Sequence, residues 1–408
     1  MRAMNNRPRR LVLGGADVFD GRGTDPSAAD IAIEGDRIVD IGSGLDGDER
    51  IDLAGRTLLP GLFDCHVHVI FSHIDQWRLV QQPFSYQFYL AAANLEATLR
   101  VGITSARDAG GADLGVKRAQ ADGLIKGPRL QVSLAMISQT GGHGDDWYPS
   151  GVRVPLLATH PGVPPAIVDG PDEMRRVVRQ LINHGADVIK VATSGGVLSP
   201  RDKPTHAHFR DEELRVLVEE ADAAGIWVMA HSQATPGIKA SVRAGIRSIE
   251  HGIYLDDEAI SLMLERGTWL VPTLIAPQGV IEAAEAGASI PEASLAKARE
   301  VVDIHRAAFA RAVSAGVRIA MGTDSGVTPH GQNLRELALM RDGGMSPAAV
   351  LAASTSSAAE LMGVVDELGT LEPGKRADVV VVSGDPYAFD DLASRVEAVY
   401  QDGVRVVG

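Results

Sequence analysis

Between residues 60 and 365 the sequence alternates short apolar runs with amphipathic ones, and that alternation constrains the fold more than any other feature. Eight runs read as strands: "LLPGLFDC", "ITSARDA", "RLQVSLAMI", "DVIKVAT", "IWVMAHS", "SIEHG", "WLVPTLI" and "RIAMGTD". Between most of them lie helical patterns such as "DEMRRVVRQLINHGA", "DEELRVLVEEADAAG", "PGIKASVRAG" and "DEAISLMLERG". Several of these end at Gly185, Gly225, Gly245 and Gly267, the residue type that closes a helix because it tolerates left-handed backbone. Strands that alternate with helices build parallel sheets. Eight such units predict an α/β protein with a (β/α)8 TIM barrel rather than a doubly wound sheet. No GxGxxG fingerprint follows a strand to favour dinucleotide binding.

The two chain ends read differently. "IAIEGDRIVDI" carries Gly-Asp between two β-branched runs, a hairpin signal, and the C-terminus repeats the idiom in "GTLEPGKRADVVVVSGDP" and "RVEAVYQDGVRVVG". Both ends are β-rich where the middle is not. The expectation is a small β-sandwich domain built from residues 1–59 and 366–408, with the barrel over 60–365 between them.

Ligand-type residues fall at the ends of the predicted strands. His66 and His68 close the first, Lys190 lies in the fourth, His231 ends the fifth, His251 the sixth and Asp324 the eighth. Residues two apart in an extended chain share a face, so "HVH" presents two imidazoles to one point. A bare HxH is weak evidence, and a buried histidine with satisfied hydrogen bonds is commoner than a ligand. Six such residues at the same end of five strands, the catalytic end of a barrel, favour a metal site. Lys190 is flanked by apolar residues in "DVIKVAT", where a bare ammonium is expensive to bury.

Composition excludes several classes. The formal net charge of −14 argues against nucleic acid or anionic membrane as a partner. No stretch approaches the roughly 18–20 apolar residues that cross a bilayer, and the N-terminus lacks the apolar core of a signal peptide. The single cysteine, Cys65, rules out an intrachain disulfide and fits a reducing cytoplasm. A cytoplasmic, homo-oligomeric enzyme is the expectation.

In order along the chain, "PGLFDCHVH", "DVIKVATSGG", "MAHS", "IEHG" and "MGTDSG", flanked by "GRTLLPG" and "GTLEPGKRADVVVVSGDP", resemble the amidohydrolase superfamily. "RDAGG", "GPRL" and "SQTGGHGD" are similar to its metal-dependent dipeptidases of the Xaa-Pro and Xaa-Arg type and their ochratoxinase-like relatives. The resemblance implies two divalent ions, by default Zn2+, bridged by a CO2-derived carbamate on Lys190. It implies that His66, His68 and Asp324 hold the more buried ion, and His231 and His251 the more exposed one. A metal-bridging hydroxide would then attack an amide of a dipeptide or N-acyl amino acid, with Asp324 as general base and then acid. The alternatives are a cyclic amide or lactam hydrolase or deaminase resembling imidazolonepropionase, which usually lacks the bridging lysine, and a xenobiotic amidase of the ochratoxinase type. A catalytically dead binding protein is a further alternative, which retention of all six ligands disfavours.

Two long connections, from "SQTGGHGDDWYPSG" to about Asp169 and over "SGGVLSPRDKPTHAHF", are where a barrel handles substrate. His143 is the extra catalytic candidate, placed to hydrogen-bond a developing oxyanion. Arg153, Arg201 and Lys203 are candidate partners for a substrate carboxylate, and Gln233 and Tyr254 further candidate contacts. Gln233 stands where related dipeptidases often carry tyrosine. His206 and His208, a second HxH in a polar loop, read as rim or solvated residues. Asp108 reads either as a carboxylate orienting a ligand or as a structural acceptor.

Overall fold

The computed structural model describes residues 9–148, 150–199 and 201–408. Met1–Pro8, the start of the N-terminal segment, lie outside the described residues. The two chain ends meet in one hydrogen-bonded sheet of eight strands. Its junction is the antiparallel pairing of Val379–Ser383 with Arg56–Pro60. The strand Arg10–Val18 shifts register between Leu13 and Ala16. Its first half lies parallel to Glu49–Asp52 and its second half parallel to Arg56–Pro60. Gly15, with φ at +78°, permits that bend at no steric cost. Ile31, Ile38, Leu58, Val379 and Val381 form a buried core here, separate from the larger core of the middle region.

The middle region is TIM-barrel-like α/β. Leu62–Val67, Ile103–Asp108 and Arg129–Val132 form a parallel three-stranded sheet. Met136–Ile137, Val188–Ala192, Trp227–Ser232, Ser248–His251 and Trp269–Val271 form a parallel five-stranded one. Seven of the eight predicted strands are found here, two of them split: "LLPGLFDC" gives its first three residues to the end-sheet strand Arg56–Pro60. "RLQVSLAMI" breaks at Leu134, whose φ is +67°, and each half pairs with a different sheet. The eighth, "RIAMGTD", is irregular and joins its neighbours by single parallel bridges, Leu270 with Ile319 and Val67 with Ser325. Asp324 has a φ of +61°, and Asp64 accepts from Thr323 N and Oγ1, so the segment turns where a regular strand would continue.

The four quoted helical patterns form helices Pro171–Asn183, Asp211–Ala223, Thr235–Ala244 and Asp257–Arg266. The glycine after each adopts left-handed backbone as expected. Among the described residues of 138–170 and 193–210 there is no helix, and their backbones are pinned by isolated bridges such as Ser138 with Ile167 and Ser194 with Ala207. Among the described residues no helix is long and apolar enough to cross a membrane.

Candidate metal centre

The strand ends and one loop residue bring five imidazoles into a row. Ring centroids stand 5.6 Å apart for His68 and His66, 5.1 Å for His66 and His251, 4.6 Å for His251 and His231, and 4.0 Å for His231 and His143. Asp324 lies across the first pair, its Oδ1 3.5 Å from His66 Nε2 and 3.3 Å from His68 Nε2. Lys190 Nζ is 3.3 Å from His66 Nε2. All six predicted ligands line one cavity of about 560 Å3.

Each ring is oriented from behind. His66 Nδ1 is 2.7 Å from Glu250 Oε2, His68 Nδ1 2.8 Å from the Gly110 carbonyl, and His251 Nδ1 2.7 Å from Thr273 Oγ1. His231 turns the other way, with Nε2 3.3 Å from the Gly195 carbonyl. A ring nitrogen that donates outward leaves the other nitrogen's lone pair free, which is how protein partners prepare an imidazole for a metal. Glu250 is fully buried; it also accepts from Arg107 Nη2 at 3.0 Å and from Ser248 Oγ at 2.6 Å. Arg107 Nε in turn donates to the Cys65 carbonyl at 2.7 Å.

The electrostatics suit a cation. Burial first, and then positive neighbours, hold His66, His231 and His251 well below the ordinary imidazole range, as neutral donors. Burial pushes Asp324 up, but His66, His68 and Lys190 more than offset it and hold the carboxylate well below its usual range. His68 is pushed down by burial and raised above its ordinary value by Asp324. The field that favours a proton there favours a metal ion at the same point. Donor atoms of His66, His251 and Asp324 lie within 4.8 Å of one another, a spacing one ion can satisfy. This triple takes His251 across the division that the sequence resemblance implied. Neutral imidazoles with one ionised carboxylate are the donor set of zinc and similar ions.

Lys190 is buried, and among the described residues no carboxylate stands at ion-pair distance from its amine. Burial lowers it to about 8, with Glu250 and Asp324 opposing. A neutral amine is thus within reach near physiological pH.

Of the predicted substrate contacts, His143, Gln233 and Arg153 line the cavity. Gln233 is buried, and its Oε1 has no hydrogen-bond partner among the described residues. Arg153 pairs with Asp145 at 2.6 Å. Arg201 and Tyr254 are not brought there. Arg201 stacks its guanidinium 5.0 Å from the Trp147 ring, and Tyr254 points its hydroxyl at Glu300, 3.4 Å away. His206 and Lys203 are exposed. His208, expected at the rim or in solvent, is instead buried, and burial pushes it down to about 4.

Of the two readings open for Asp108, the structure shows the structural acceptor. Its oxygens accept from Val69, Gly110 and Ala112 N–H, fixing the turn whose Gly110 carbonyl orients His68. Sequence reasoning missed Glu250, Arg107 and Thr273. Glu250 was findable, since it stands beside His251 in "SIEHG" and shares its strand face with Ser248.

The sequence model of the amidohydrolase family matches residues 57–406. Ochratoxinase of Aspergillus niger is 40% identical over 347 residues, covering 81% of this chain and 70% of its own. A solved Xaa-Pro dipeptidase with methionine bound in its active site superposes with a TM-score of 0.88 at 32% identity, over 98% of this chain and 100% of that one. A prolidase complexed with N-methylphosphonate-L-proline gives a TM-score of 0.88 at 34% identity, over 97% and 99%.

Proposed function

The chain belongs to the amidohydrolase family, and from that premise we propose that it hydrolyses the amide bond of a dipeptide or an N-acyl amino acid. One observation supports this above all: the six ligand-type residues, His143 and Arg153 face one cavity whose remaining wall is mostly apolar. The two solved relatives hold methionine and an N-substituted proline, both amino acids.

We take the cofactor to be two divalent ions, zinc by donor type. His66, His68 and Asp324 would hold one, His231 and His251 the other, with carboxylated Lys190 between them. Such ions supply Lewis acidity and a water acidified to near neutral pH when bound. A neutral Lys190 amine would be able to take up CO2 through a new N–C bond with loss of one proton, giving an anionic carbamate as a metal ligand. Asp324, held ionised, accepts the proton that the attacking water loses and returns it to the departing nitrogen, which would otherwise leave as an unstable anion. His143 hydrogen-bonds the oxygen on which negative charge develops. Arg153 pairs with the substrate carboxylate. Walls of Pro155, Leu156, Leu157, Pro164 and Val280 favour a second reading, a bulky apolar amide of the kind a xenobiotic amidase takes.

For the architecture, we read residues 318–325 as the eighth strand closing the barrel over 60–365, with 1–59 and 366–408 as one β-domain. The bridges on both sides of that segment and the shared end sheet support this.

Amino-acid release from a panel of dipeptides and N-acyl amino acids tests the reaction, with enzyme loaded with Zn2+ in bicarbonate. Release sensitive to the C-terminal residue is expected. A silent panel from fully metallated protein would move the substrate to lactams, lactones or bulkier amides.

A further inference from the structure

The two long loops touch at one buried carboxylate. Asp202, in "SPRDKP", is 8% exposed and reaches His143 of the other loop through Ser199. Ser199 Oγ donates to Asp202 Oδ1, and His143 Nδ1 lies 2.9 Å from the same hydroxyl oxygen. A hydroxyl has one hydrogen to give. With that hydrogen on Asp202, Ser199 Oγ accepts from His143, so Nδ1 carries a proton and Nε2 remains for the cavity. Asp202 Oδ2 stands 3.7 Å from His143 Nδ1 and has no hydrogen-bond partner among the described residues.

The ring is confined by contacts as well. It stacks on His231, and a Cβ added at Gly196 would meet His143 Cε1 at 2.3 Å. Lys297, on the helix Glu292–Ala315, anchors the loop: its Nζ donates to the Gly196 carbonyl at 3.0 Å and the Ser199 carbonyl at 2.8 Å, and lies 3.6 Å from Asp202 Oδ1.

We propose that Asp202, acting through Ser199, is the positioning residue that fixes the orientation of the His143 ring, an inference that rests on His143 serving the substrate oxygen. Asp202 is the buried end of this chain of contacts. Burial pushes its carboxyl up, but His143, Ser199 and Lys297 outweigh that and hold it down to about 2, so it is ionised. The arrangement joins two segments far apart in sequence, and nothing in either loop's own spacing announces it.

Asp202→Asn and Ser199→Ala, each alone and combined with His143→Gln, test the arrangement. Rates are read on N-benzoyl-L-leucine and on the fastest member of the substrate panel. Asp202→Asn is expected to lower kcat about 10- to 100-fold, with KM changed by less than about threefold. In the His143→Gln background it should cost nothing more. Independently of turnover, 15N–1H imidazole spectra of histidine-labelled protein locate His143 among the 12 histidines by difference against His143→Gln. Its Nδ1-protonated signature should be lost or shifted in Asp202→Asn. An unchanged signature, or a rate loss just as large without His143, overturns the proposal. Wild-type turnover by His143→Gln would instead sink the role of His143, and the spectrum alone would then decide whether Asp202 holds the ring. Where Asp202→Asn fails to fold, Ser199→Ala carries the same cycle.

Discussion

At the floor of the cavity three of the four strand-end imidazoles are fixed through Nδ1: His66 against Glu250, His68 against Gly110 and His251 against Thr273. The two loops above it, 138–170 and 193–210, are tied to each other and to the body by contacts of another kind, among them Lys297, the Asp202–Ser199–His143 contact and a bond from Phe209 N to Gln139 Oε1 at 2.7 Å. The floor is built on parallel strands whose ladders leave no freedom to the side chains at their ends. The loops are irregular, and some of their ties face solvent, as with Arg153 on Asp145. On the proposed function, the regular elements would carry the chemistry and the loops the selection of substrate, which is where loops usually serve.

The sharpest way to break that division is at Lys190. Replacing it with alanine should abolish turnover, by about a thousandfold or more, since residues that act as one unit fail together. Steady-state rates alongside metal content by mass spectrometry check it, and full activity in Lys190→Ala would refute the proposed site. Next comes Glu250→Gln, which keeps the shape and removes the charge. Arg107 is then left buried without its counter-ion, a loss of about 3–5 kcal/mol in urea unfolding. Zn2+ affinity should fall about 10- to 100-fold in a competitive chelator titration, because His66 loses its orienting carboxylate. A variant as stable and as tightly metallated as the parent would show the floor to be less interlocked than its geometry implies.

Acid probes both regions at once. Burial pushes His208 in the loop, and His305 and His330 near the floor, down to about 4. Each is neutral in the folded protein and takes up a proton on unfolding below its ordinary value of about 6.5. Their stabilising contribution is therefore complete above about pH 6.5 and is lost as pH falls toward 4, at about 1.4 kcal/mol per unit for each fully effective group. Urea midpoints at pH 7 and pH 5 should differ in that sense, and His208→Gln should remove the loop's share. Equal midpoints at the two pH values would remove the effect altogether.

The smallest effect is expected at Arg153. The cation is exposed and already paired, so Arg153→Ala should raise KM by about tenfold or less for substrates with a free carboxylate, leaving kcat nearly unchanged. Comparing an N-acyl amino acid with its methyl ester isolates the contact. Equal KM changes for acid and ester would show that Arg153 does not read the carboxylate.

The residues legible in the sequence were those whose position follows from local repeat. His66 and His68 share a face because strands alternate, and His231, His251 and Asp324 sit at run ends that apolar patterning reveals. Lys190 stood out because an amine between apolar neighbours demands a reason. The β-rich ends were legible in the same way, but composition suggested a sandwich, and the structure joins them in one eight-stranded sheet. Less legible were Arg201 and Tyr254, expected at the substrate and placed instead on Trp147 and beside Glu300. Charge in a loop says that a side chain is polar, not where it points. The split of "RLQVSLAMI" at Leu134 was hidden for a related reason, since an apolar run reads the same whether or not one residue in it turns left-handed.

The sequence by itself determined the alternating α/β architecture, the β character of both ends, and the strand-end positions of most of the six ligand-type residues, because periodicity of two or 3.6 residues is a local property of the chain. Only the tertiary structure decided how that set is held. The bonds from Glu250 to His66, Arg107 to Glu250, Asp64 to Thr323 and Asp202 to His143 through Ser199 join segments far apart in the chain. Such partners are chosen by packing and by the cost of leaving a buried polar group unsatisfied, and that cost is set in three dimensions.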